Sequence, residues 1–115
     1  MQYKLEERVE KFGENIIDLV KKVKVTVMTE PIIKQLIRSG TSVGANYFEA
    51  NGASSRKDFI NKIYISKKEV KETQHWLRMI SRIDEVVKID ARILYKEAVE
   101  LGMIFSTIIT KTRNK

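Results

Sequence analysis

A chain of 115 residues, 43% hydrophobic and 32% charged, suits one globular domain and is too apolar for a disordered segment. It has no cysteine, which excludes a disulfide framework and any thiolate zinc site. Lysine and arginine outnumber the acids by 22 to 15, and the resulting +7 fits either an anionic partner, nucleic acid being the commonest, or a lysine-rich solvated surface.

Five glycines and one proline are few for a strand-rich fold, so helices are favoured. No apolar run is long enough to span a bilayer. The opening MQYKLEERVEKFGE has acids where a signal peptide needs an apolar stretch, so a cytoplasmic location is expected.

The first segment carries Leu5, Val9, Phe12, Ile16, Leu19 and Val23 at alternating four- and three-residue spacing. That pattern predicts a helix over about 4–27, its buried stripe widened by Ile17 and Val20. Val23, Val25 and Val27 alternate instead, so the helix is expected to fray there. Glu30-Pro31 marks a boundary, because proline disfavours helical dihedrals before it and fits a helix's first turn.

A second helix is predicted over about 31–52, with Ile33, Leu36, Ile37, Val43, Tyr47 and Ala50 inward. Its middle, from Ser39 to Asn46, holds only small residues around Val43, and each of Gly40 and Gly44 costs about 1 kcal/mol in a helix interior. A loop is one reading. The apolar period runs through in phase, which favours a continuous helix. Arg38, Gly40, Ser42, Gly44, Asn46 and Glu49 then form a motif for close packing against another helix.

Ser55 followed by Asp58 reads as a capping box opening a third helix over about 55–83. Phe59, Ile60, Ile63, Val70, Leu77 and Ile80 face inward. A fourth helix, opening near Asp84 or Asp90, covers about 87–112, with Leu94, Ala98, Leu101, Phe105 and Ile108 inward. Ile93, Ile104 and Ile109 add a second apolar flank, more than one core needs. Together with Trp76 they are candidates for a subunit interface, the alternative being a wide core stripe. Lys111 to Lys115 form a basic tail. Short connections make the whole chain, 1–115, one all-α domain: an up-down-up-down antiparallel four-helix bundle.

Catalytic, cofactor-binding and metal-binding residues are not recognisable, and no enzyme activity or cofactor is expected. Glu72 and His75 have the Glu-x-x-His spacing of di-iron bundles, but a second histidine is missing. No Gly-Lys-Ser/Thr follows Gly40-x-x-x-Gly44, so it is not a phosphate loop. Glu49, Glu69 and Glu72 are candidates to pair with Arg38 or Arg78 across the bundle. The most informative pattern is a stripe on the third helix: Lys57, Asn61, Tyr64, Lys68, Lys71, His75, Arg78 and Arg82. Lys57, Lys68, Lys71, Arg78 and Arg82 suit a row of phosphates, with Tyr64 and His75 placed to stack on bases. A plain solvated helix face is the competing reading.

Two stretches carry a resemblance. One runs Gln35-Leu36-Ile37-Arg38-Ser39-Gly40-Thr41-Ser42-Val43-Gly44-Ala45-Asn46 with Glu49-Ala50. The other runs Ser55-Arg56-Lys57-Asp58-Phe59-Ile60, then Lys68-Glu69, Glu72-Thr73 and Trp76-Leu77-Arg78. From Phe12 to the last helix, the chain resembles the bacterial four-helix-bundle proteins encoded in intervening sequences of 23S rRNA genes, also labelled a ribosomal protein family. Tyr47-Phe48 departs from the pattern, where smaller or aliphatic residues are usual. The resemblance implies homopentamers and a similarity to the accessory protein of diversity-generating retroelements, which binds nucleic acid and a reverse transcriptase. The expected partners are therefore other copies of the chain and RNA or DNA. The alternative is a pentameric scaffold that recruits a protein.

Overall fold

A computed structural model describes residues 4–115 as four α-helices: α1 Leu5–Lys21, α2 Thr29–Asn51, α3 Arg56–Ile83 and α4 Lys88–Arg113. One 3-10 turn, Glu85–Val87, leads into α4. α1 packs on α2, α2 on α3 and α3 on α4, while α4 meets α1 along a much sparser seam. The chain thus makes the antiparallel up-down-up-down bundle, with one side loosely closed. Its Cα radius of gyration of 14.7 Å exceeds the about 13 Å of a compact domain of this length.

The core follows the helical stride. Phe12, Ile16, Leu36, Val43, Ile63, Val70, Leu77, Leu101 and Phe105 are fully buried along the axis. Small polar side chains fill the α2–α3 seam. Ser66 Oγ donates to the Val43 carbonyl at 2.9 Å, and Thr73 Oγ1 lies 2.9 Å from Ser39 Oγ. These hydroxyls are satisfied, so they let the helices approach without a desolvation penalty.

Three local features differ from the sequence pattern. α1 stops at Lys21, six residues before the predicted end. Thr26 and Thr29 form a hydroxyl-rich turn there: the Thr26 amide donates to Thr29 Oγ1 at 2.8 Å, and Thr29 Oγ1 donates to the Lys24 carbonyl at 2.7 Å. Such side-chain bonds compete with helix continuation. α2 begins at Thr29 rather than Pro31, so the proline sits within the first turn, where its missing amide costs nothing. Ile37, expected inward, is 40% exposed, because the inward row of α2 runs through Ser39 and Gly40 instead. At the start of α3 the Asp58 amide donates to Ser55 Oγ at 3.0 Å, as the capping pattern predicts.

The small-residue stretch of α2 is continuous helix, and its two glycines face α1. Glycine is needed at Gly40, where a Cβ would fall 2.9 Å from Ile16 Cγ1 and Cγ2. At Gly44 a Cβ would sit in ordinary contact, 3.5 Å from the Val9 carbonyl oxygen.

Candidate nucleic-acid interface

α3 is the longest helix, 28 residues or about 42 Å. It carries eight lysines and arginines against three acids, which accounts for five of the seven excess positive charges. α1 has five acids against three bases. Positive charge is therefore concentrated on one side of the molecule. All eight stripe residues, from Lys57 to Arg82, are exposed on one face of α3. Among the described residues, Lys57, Lys68, Lys71, Arg78 and Arg82 take part in no ion pair with an acid.

The α3 acids nearest the stripe, Glu69 and Glu72, turn to the α2 seam, where Arg38 collects them. Arg38 Nη1 donates to Glu69 Oε2 at 3.1 Å, and its Nη2 pairs with Glu72. Arg38 Nε donates to Gln35 Oε1 at 3.0 Å, which fixes the plane of the guanidinium. Trp76 Nε1 donates to Glu72 Oε2 at 3.0 Å. The indole bond, followed by the Arg38 contact, holds the Glu72 carboxyl below its usual pKa. The bond to Glu72 in turn raises the Arg38 guanidinium. Both acids are thereby held on the α2 side of the helix. Glu49 pairs instead with Lys62, at 3.2 Å. Arg78 joins no such pair.

The two aromatic members of the stripe already have partners. Arg113 Nη2 donates to Tyr64 Oη at 2.8 Å, and its guanidinium lies 5.2 Å from the Tyr64 ring centroid. His75 meets Trp76 edge to face at 4.7 Å. With Glu72 held by Arg38 and Trp76, the Glu-x-x-His pair has a committed carboxylate. Among the described residues, no three His, Asp or Glu side chains cluster as metal ligands would.

Between α3 and α4, near the α3–α4 connection, lies a groove of about 460 Å³. Arg78 and Arg82 line one wall, Lys88 and Arg92 the other. Tyr95, Leu77 and Ala91 supply an aromatic and apolar floor. Lys88, Arg92 and Tyr95 are not part of the stripe pattern, since they lie on a different helix. Their sequence signal was a second pair of cations four residues apart, and only packing sets it opposite Arg78 and Arg82.

The expected interface residues divide. Ile93 is 62% exposed, Ile104 is half-buried along the α1–α4 groove, and Trp76 is half-buried beside Glu72. Ile109 is only 3% exposed and belongs to the core, because its position aligns with Phe105 and Ala98. The exposed apolar row of α4 is instead Ile89, Ile93 and Met103.

The family model for the 23S rRNA-intervening sequence protein matches residues 2–107. The chain belongs to that family. A solved structure similar to this family member is a protein of unknown function from the S23 ribosomal protein family of Bacteroides thetaiotaomicron. The two are 34% identical with a TM-score of 0.81, over 92% of this chain and 98% of the other. No curated protein matches this member of the family. No helix among its described residues is long and apolar enough to cross a membrane.

Proposed function

We propose that this 23S rRNA-intervening sequence protein is a non-enzymatic, oligomeric bundle that binds RNA or DNA through the basic face of α3. One observation carries the reading: five exposed cations in a row, with the neighbouring carboxylates drawn away by Arg38. A face built only for solubility intersperses both signs. This one segregates them, and a phosphate backbone supplies the missing counter-charge. The exposed row Ile89, Ile93 and Met103 joins copies of the chain, multiplying the basic face in the assembly.

Binding of a labelled single-stranded RNA, measured across a salt series, tests the first part. Affinity should fall steeply with salt, and Lys68→Gln with Lys71→Gln should reduce the logarithmic slope by about 0.7 per cation removed. Binding absent at low salt, or insensitive to salt, sinks it.

A protein scaffold is the second reading. What favours it is the bundle end where both the α1–α2 and α3–α4 connections lie, which exposes Val25, Val27, Met28 and Val86. A partner docked there would be displaced by Val27→Asp and left untouched by Lys68→Gln.

A further inference from the structure

Three grooves among the described residues differ in charge. Between α1 and α4, Arg8 pairs with Glu97 at 2.6 Å and with Glu100 at 3.2 Å. Farther along the same seam, Lys22 pairs with Asp90 at 2.8 Å. The α3–α4 groove has no acid in its lining. Of its four cations, only Lys88 has a carboxylate nearby: Glu85, 3.7 Å away. Arg78, Arg82 and Arg92 have no ion-pair partner among the described residues. Gathering like charges is unfavourable unless an anion joins them.

The floor adds a second chemistry. Leu77 and Ala91 are buried, and half-buried Tyr95 offers part of its ring. Tyrosine and arginine planes both stack on unpaired bases. A volume of about 460 Å³ suits a single small ligand. The α3 stripe runs into this groove at Arg78 and Arg82, so a strand tracking the stripe is led into it.

We infer that the α3–α4 groove is a nucleotide-binding site, taking one unpaired nucleotide of a single strand with its base against Tyr95 and its phosphates between the arginine walls. This rests on the nucleic-acid reading and sharpens it from a charged face to a site for single strands.

Two probes test it on the full-length protein. In the first, amide NMR shifts are followed on addition of uridine 5′-monophosphate. They should concentrate between residues 77 and 95, and Arg92→Gln, an exposed change that keeps the fold, should weaken the response. In the second, a 12-nucleotide single-stranded RNA should bind more tightly than the matching duplex. Tyr95→Leu should weaken the single strand roughly five- to a hundredfold, the range for losing one base–aromatic stack. Arg92→Gln provides the same test if Tyr95→Leu compromises folding. Strand binding unchanged by either variant, with or without nucleotide shifts elsewhere, overturns the groove and leaves the α3 face standing. Absence of binding to both probes overturns both.

Discussion

Arg38 holds two carboxylates of a neighbouring helix at once, and the two depend on it differently. The Glu69 side chain is 11% exposed and that of Glu72 is 34% exposed. Removing the guanidinium leaves Glu69 nearly buried with no charged partner. Arg38→Ala should therefore cost about 1–3 kcal/mol in urea unfolding. Glu72→Gln, which keeps an acceptor for Trp76, should cost no more than about 1 kcal/mol. Equal losses for the two variants would contradict this hierarchy. Glu72 also sets a pH dependence. Its folded pKa is depressed, mainly by the Trp76 indole and then by Arg38. The stability it contributes is present above the ordinary carboxylate value and is lost as pH falls through the folded value. Trp76 is the sole tryptophan, so its fluorescence should report the protonation directly. The acid transition of that emission should disappear in Glu72→Gln and persist in Glu97→Gln.

At the scale of the helices, the two glycines that look equivalent in sequence are not equivalent in the fold. Gly40→Ala drives a methyl into the Ile16 side chain, an overpacking cost of about 1–3 kcal/mol against about 1 kcal/mol gained in helix propensity. Gly44→Ala meets only ordinary contact and keeps the propensity gain, and Gly13→Ala does the same, 3.7 Å from the Gly40 carbonyl oxygen. Thermal melts should place Gly40→Ala below the parent, with the other two at or above it. The reverse order would mean that the α1–α2 packing is wrong. This pair shows what patterning conveys. Periodicity places the small-residue stretch on a helix, since phase is a local property. It does not say which glycine opposes a branched side chain, which depends on the register of α1 against α2. Similarly, the end of α1 was hidden because the Thr26–Thr29 turn works through hydroxyls, which leave the apolar stride unmarked. The α3 stripe was legible because it lies on one element. The groove was not, because Lys88, Arg92 and Tyr95 reach it only through packing of α4.

For the molecule as a whole, the sparse contact between α4 and α1 and the apolar outer row of α4 have a common consequence. The α1–α4 seam is bridged by Arg8 to Glu97 and Glu100 and by Lys22 to Asp90, and the more exposed Lys22–Asp90 pair adds little stability. Ile89 and Ile93 beside it are 71% and 62% exposed, and Met103 two to three turns on is 65% exposed. A single chain leaves this row in water, whereas a second copy laid along α4 removes it at about 25 cal/mol per Å². Ile93→Glu places a charge beside Ile89 on this exposed face without touching the core. It should leave the helical circular dichroism intact and move the sedimentation coefficient to that of one 13.4 kDa chain. Lys111→Glu, near the end of the same helix, should leave the assembly unchanged. An assembly that survives Ile93→Glu and Ile89→Glu together would show that the chains meet on another face. The basic side of α3 would then be the first place to look, because the acidic side of α1 is its electrostatic complement.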